Sequence, residues 1–95
     1  MTVKIKKKVW KEAEVLPTHI QILVDEQIEK LKSANDMSDL DNAIPLKGTS
    51  EPYYRLKFGD YRIIMYYDES TNTADIRKLS HRKDTYKKHN LPWRR

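Results

Sequence analysis

The side chains best suited to chemistry on a phosphodiester lie in two stretches of this sequence. Residues 53–66 (YYRLKFGDYRIIMY) carry Arg55, Lys57 and Arg62 among tyrosines, and residues 81–88 (HRKDTYKK) carry His81, Arg82, Lys83, Tyr86, Lys87 and Lys88. A guanidinium grips a phosphate through paired hydrogen bonds. A tyrosine ring offers a face on which a base can stack. Histidine, with an ordinary pKa near neutrality, suits proton transfer. Together these can bind an RNA strand and move a proton. Each also has a plainer reading. The cations can be solvated sheet residues, and His81 taken alone reads as a strand-end histidine bonded to backbone.

The strands that carry the first set have a register that follows from their turn. Gly59-Asp60 reads as a two-residue hairpin loop between strands at 53–58 and 61–67. Such a loop sets Phe58 opposite Tyr61, Lys57 opposite Arg62, Leu56 opposite Ile63 and Arg55 opposite Ile64. Directly opposed residues share a face. One face then holds Tyr54, Leu56, Phe58, Tyr61, Ile63 and Met65 and is expected to meet the core. The other holds Tyr53, Arg55, Lys57, Arg62, Ile64 and Tyr66, is expected to face solvent, and contains no acid of its own. Like charges opposed as at Lys57 and Arg62 destabilise a sheet by roughly a few tenths of a kcal/mol, and an anion between them would relieve that. In the second set, Arg82 and Tyr86 are four residues apart and share a face if the segment is helical.

Around these stretches the chain alternates at other periods. Val3 and Ile5 alternate with lysines, a short half-buried strand. Val9, Trp10, Ala13 and Leu16 recur at helical spacing up to Pro17, and Ile20, Leu23, Val24, Ile28 and Leu31 predict a helix over 19–33. Thr18 and Gln21 have the form of a capping box at its start. Residues 34–52 are rich in Asn, Asp, Ser, Pro and Gly and read as a loop, with one helical turn near 37–40. A third strand is expected at 73–79 and a short polar helix at 81–90. The order is strand, helix, helix, three strands, helix, within a single domain spanning 1–95. This is an α+β fold: an N-terminal strand and a helical hairpin on a small, mostly antiparallel four-stranded sheet, closed by a short C-terminal helix.

Composition narrows the setting. Residues 1–52 hold eight Lys/Arg and nine Asp/Glu, whereas residues 53–95 hold eleven and five, so the positive excess lies in the second half. That asymmetry suggests a polyanionic partner, nucleic acid first. With no cysteine, disulfides and thiolate metal sites are excluded. No apolar run approaches the ~18 residues of a membrane span, and the charged start, MTVKIKKK, does not read as a signal peptide. A cytoplasmic protein with no membrane partner is expected.

Three segments carry a resemblance. Pro45-Leu46-Lys47-Gly48, the run YRLKFGDYRII at 54–64 and HRKDTY at 81–86 resemble, in order and spacing, the "PLKG", "YRLRxGxYRIxY" and "HRxxxY" segments of RelE/ParE toxins, and the likeness extends over essentially the whole chain. It implies a RelE-like fold and the toxin of a type II toxin–antitoxin system, an endoribonuclease that cuts mRNA in the decoding site of the ribosome. In that chemistry the ribose 2′-hydroxyl attacks the adjacent phosphate, with no metal and no other cofactor, and cations stabilise the phosphorane. By position, the resemblance makes Arg62 the transition-state clamp, His81 the general acid or base, Arg82 and Lys57 partners of the phosphate, and Tyr86 a stacking or positioning group. Lys47, Tyr53, Arg55, Lys83, Lys87 and Lys88 would bind RNA. The archetypal member has lysines where this chain has Tyr53 and Arg55. Arg does not deprotonate near neutral pH, so proton transfer passes to His81, or to Lys57 or Lys47. A cognate antitoxin, in a toxin–antitoxin hetero-oligomer, is the implied partner. The alternative is a ParE-like poison of DNA gyrase, sharing the fold without RNA cleavage.

Overall fold

Alternation at period two from Tyr53 onward builds the middle of the molecule. In a computed structural model that describes residues 1–47 and 51–85, the chain forms β1 (Thr2–Ile5), α1 (Lys7–Glu14), α2 (Thr18–Ser33), a 3-10 turn (Met37–Asp39), β2 (Ala43–Pro45), β3 (Tyr53–Phe58), β4 (Tyr61–Asp68), β5 (Thr73–His81) and α3 (Arg82–Thr85). The strands lie side by side in the order β1-β5-β4-β3-β2. β1 runs parallel to β5 and the other pairings are antiparallel. The α+β class and the order of the main elements match the sequence reading.

The strand count does not. The sheet has five strands rather than four, because Ala43–Pro45, inside the expected loop, pairs with β3. A strand of three residues is too short for alternation to show. Pro45, which has no N–H to give a ladder, is tolerated because β2 is an edge strand. β5 also runs two residues beyond its expected end, so that His81 is its last residue.

The helices cover one face of the sheet. Val9 and Ala13 of α1 and Val24, Ile28 and Leu31 of α2 pack with Leu56, Ile63, Met65, Ile76 and Leu79 in one core. Spacings of four and three residues put Val24, Ile28 and Leu31 on one narrow stripe. Leu23 lies beside that stripe and is 38% exposed, and Trp10, also expected on the apolar face, is 45% exposed. The capping box does not form. Thr18 is already helical behind Pro17, and no side chain caps this helix. Gln21 instead donates from Nε2 to the carbonyls of Leu16 (2.8 Å) and Glu14 (3.3 Å), satisfying acceptors that the end of α1 leaves open. Among the described residues no helix is long and apolar enough to cross a membrane.

One irregularity decides which way two cations point. Ile64 pairs with Lys78 but the next residue, Met65, pairs with Ile76, leaving Arg77 as the extra residue of a bulge. A bulge re-aims the side chains beside it. Lys78 meets Glu12 of α1 at 2.6 Å, on the helical side. Arg77 lies on the other face, against Tyr53 and Tyr66.

Candidate nucleic-acid interface

The β3–β4 hairpin has the expected register throughout, from Tyr53 opposite Tyr66 to Phe58 opposite Tyr61. Its turn depends on Gly59, whose φ of +57° is a left-handed conformation although a Cβ there would meet nothing within 4 Å. Backbone freedom, not space, is what glycine supplies at this point.

Arg62 is fastened to that turn. Its Nη1 donates to the carbonyl of Gly59 at 3.0 Å and to that of Tyr61 at 2.9 Å. The residue is only 8% exposed, so the expectation of a solvent-facing arginine is corrected. The side chain folds back over the turn onto these two carbonyls. Nε is buried with no hydrogen-bond partner among the described residues. The rest of this face is also less open than alternation implies. Lys57 is exposed and Arg55 half-buried, but Tyr53 is 2% exposed and Ile64 fully buried. The Tyr53 ring is therefore not presented to solvent for stacking.

Tyr53 belongs to a cluster that the sequence reading missed. Its ring meets Tyr66 edge-on at 5.5 Å, and Arg77 lies 4.9 Å from the Tyr66 ring centre and 5.7 Å from that of Tyr53. Arg77 donates to the Tyr53 hydroxyl at 2.9 Å and pairs with Asp75 at 3.2 Å. Burial pushes the Tyr53 phenol above its ordinary value of 10.0, against the pull of the Arg77 guanidinium. The phenol thus stays neutral, accepting from Arg77. Asp75 sits opposite Tyr66, and β4 itself ends in Asp68, two residues beyond Tyr66 on the same face, so this face is not free of acids as the sequence reading has it. Spacing by two puts Asp75 and Arg77 on one face, but the bulge between them and the hairpin hides which face that is.

His81 ends β5 opposite Tyr61, with ring centres 5.3 Å apart. Ser80, not His81, is opposite Arg62. The imidazole therefore shares the Tyr61 side of the sheet and Arg62 springs from the other, both at the end where the hairpin turns. The Lys83 N–H donates to Nδ1 of His81 at 3.2 Å, which leaves Nε2 as the position that carries the proton when the ring is neutral. Arg82 is tied to the same turn. Its N–H donates to the Asp60 carbonyl at 2.7 Å, and its Nε stands 3.5 Å from Asp60 Oδ1.

One end of the sheet thus collects Arg62, His81 and Arg82 around Gly59-Asp60, with Lys57 directly across from Arg62. Lys83 is exposed nearby. Lys47 is exposed but follows β2 at the far end of β3, where the Leu46 N–H donates to the Tyr53 carbonyl; at ~3.4 Å per residue it is about 20 Å from the turn. Tyr86, Lys87 and Lys88 lie outside the described residues. Two anchored guanidiniums, a lysine and an imidazole can bind a phosphodiester, neutralise charge that develops on it, and transfer a proton.

No family model matches the chain, and no curated protein does. Solved structures do. A chain of the archaeal RelE–RelB complex from Pyrococcus horikoshii is 30% identical with a TM-score of 0.71, the match covering 87% of this chain and 96% of that one. The RelB–RelE antitoxin–toxin complex from Methanococcus jannaschii gives 28% identity and a TM-score of 0.71 over 87% of this chain and 94% of the other. The isolated Escherichia coli RelE toxin shares the fold at 14% identity, with a TM-score of 0.61 over 84% and 82% of the two chains.

Proposed function

This chain belongs to the RelE toxin family, and on that premise we propose that it is a ribosome-dependent endoribonuclease that cleaves mRNA in the decoding site. The observation that carries the reading is the end of the sheet described above: one hairpin turn holds Arg62 through two carbonyls and Arg82 through Asp60, with His81 beside it, edge-on to Tyr61. Cations held in place before the substrate arrives do not have to reorganise as charge develops.

In the proposed reaction the ribose 2′-oxygen forms a bond to the adjacent phosphorus while the bond to the 5′-oxygen breaks. The products are a 2′,3′-cyclic phosphate and a 5′-hydroxyl. One proton leaves the 2′-hydroxyl and one reaches the departing 5′-oxygen. Arg62, with Lys57 across from it, stabilises the phosphorane; Arg82 holds a non-bridging oxygen; His81 makes one of the two proton transfers and solvent water the other. A linkage draped over the end of the sheet meets Arg62 from one side and His81 from the other, with Arg62 toward the non-bridging oxygens and His81 toward one of the two apical oxygens. Arg55 and Lys83 extend the cationic path for flanking phosphates, and Tyr86 stacks on a base.

The relatives from Pyrococcus horikoshii and Methanococcus jannaschii were solved as RelE–RelB and RelB–RelE antitoxin–toxin complexes. A cognate antitoxin is accordingly proposed for this chain too, covering the cations at the hairpin end. The test adds purified chain to translating ribosomes and maps new mRNA 5′ ends. Cuts within codons at the decoding site, lost in Arg62→Ala, are expected. No cuts, together with gyrase-dependent DNA breaks, would select the ParE-like alternative instead.

A further inference from the structure

Beside the hairpin turn, the outer edge of β3 is closed by a side chain. The β2–β3 ladder stops at Ala43 opposite Leu56, so Lys57 lies one residue past it. Asn42 stands there instead. The Lys57 N–H donates to the Asn42 carbonyl at 3.0 Å, and Asn42 Nδ2 donates to the Lys57 carbonyl at 2.8 Å. The same Nδ2 donates to Oε1 of Gln27, on α2, at 3.1 Å. Asn42 thus ties the end of β3 to the helical layer, while the Lys57 side chain remains exposed.

These bonds decide how Lys57 stands to Arg62. The N–H and C=O of one residue in an antiparallel strand point to the same side. Both groups of Lys57 point to Asn42 and therefore away from β4. Lys57 and Arg62, directly opposite one another, are accordingly a pair with no backbone hydrogen bond between them. In such pairs the Cα atoms come within about 4.5 Å and the side chains are at their closest. Like charges so placed repel, and Asn42 holds the Lys57 backbone in position against that repulsion.

The orientation of the amide follows from the same contact. A carbonyl only accepts, so Nδ2 must face Lys57. Asn42 Oδ1 is left buried with no hydrogen-bond partner among the described residues. An unpaired buried acceptor opposes folding, and a group kept in that state calls for a reason outside stability.

We infer that Asn42 is a positioning residue for the proposed cleavage. Its bonds to the Lys57 backbone, braced by Gln27, keep the Lys57 ammonium beside the Arg62 guanidinium so that both reach one phosphorane. The role depends on the proposed endoribonuclease reading, in which Lys57 meets that phosphorane. The test is single-turnover cleavage of mRNA on purified ribosomes by the full chain, with the maximal rate and the half-saturating concentration read separately. Asn42→Ala removes both side-chain bonds, and Asn42→Asp keeps the shape but turns an acceptor toward the Lys57 carbonyl. Each should lower the maximal rate on the order of tenfold, the worth of about one hydrogen bond, with half-saturation unchanged. Gln27→Ala, which removes only the brace, should give the same split at smaller size. Lys57→Gln keeps Arg62, Arg82 and His81 and hence a residual rate; in that background the Asn42 changes should lower the rate by less than about twofold. Urea midpoints for every variant separate lost chemistry from lost folding. Equal losses with and without Lys57→Gln would make Asn42 a structural clamp and overturn the inference. An unchanged rate in both Asn42 variants, or a loss confined to half-saturation, overturns it too. If Lys57→Gln itself costs nothing, there is nothing to position, and the inference falls while the nuclease reading survives. A parent chain that cuts no mRNA overturns that reading and this role with it.

Discussion

Arg62 carries two roles that its position in the hairpin makes inseparable. The guanidinium proposed to clamp the phosphorane also closes the carbonyls of Gly59 and Tyr61, and hydrogen bonds to a charged group contribute roughly 1.5–3 kcal/mol. Arg62→Ala is therefore expected to abolish cleavage and also to lower unfolding stability by about that amount in urea titration; full retention of stability would show that the turn closes without it. Arg62→Lys keeps the charge but replaces the planar fork with a point ammonium on a shorter stem, so binding should outlast cleavage. His81 separates the roles differently. His81→Gln should slow the chemical step more than it weakens ribosome binding, and equal losses in both would assign the imidazole to packing on Tyr61. At this scale the residue types were legible in the sequence because arginine, lysine and histidine advertise their chemistry. Their environment was not. Alternation put Arg62 on the solvent side, and nothing local announced that the side chain would fold back to 8% exposure or that Arg77 would arrive from the next strand.

The hairpin was the most readable element because a two-residue turn admits one register, and a slip by one would turn Leu56 and Ile63 out of the core. Leu56 is fully buried, and Leu56→Ala is expected to cost roughly 2–5 kcal/mol, measured as a shift in urea midpoint at unchanged slope. The short edge strand β2 escaped notice for the opposite reason, since three residues ending in proline carry no period. The capping box failed because Pro17 supplies the helix start and Gln21 had better acceptors at the end of α1. Turns contribute a pH dependence of their own. Asp68 is held below its ordinary 3.8 chiefly by the Ser70 hydroxyl, and Asp36 likewise by Ser38. Both carboxylates have depressed folded-state values, so their contribution is fully present above the ordinary carboxylate range and is lost as pH falls through the depressed values. Urea midpoints taken from about pH 6 down to about pH 2 should fall more steeply for the parent chain than for Asp68→Asn; parallel curves would mean that the Ser70 contacts contribute nothing.

Across the whole molecule, charge and connectivity both run from the N-terminal segment to the sheet. Counting charge by halves concealed the lysines of residues 4–11, because acids in α2 and the following loop offset them. Connectivity has a similar hidden term. β3, β4 and β5 are joined by short turns, whereas β1 must find β5 from the other end of the chain, Thr2 pairing with Thr73 and Val3 with Ala74. Closing a long loop has an entropy cost that local turns avoid, and non-local pairings slow folding when they must form early. The three-strand meander is therefore expected to form in the rate-limiting step, with β1 and α1 docking afterwards and Lys78 closing on Glu12 last. Stopped-flow chevrons distinguish the orders. Ile63→Ala, at a fully embedded position of β4, should slow folding by a large part of its roughly 2–5 kcal/mol loss. Val3→Ala should instead accelerate unfolding and leave the folding rate nearly unchanged. If Val3→Ala slowed folding by as large a fraction of its own loss as Ile63→Ala does, β1 would belong to the nucleus, and the lysine segment would be in place from the start of folding rather than added to a finished sheet.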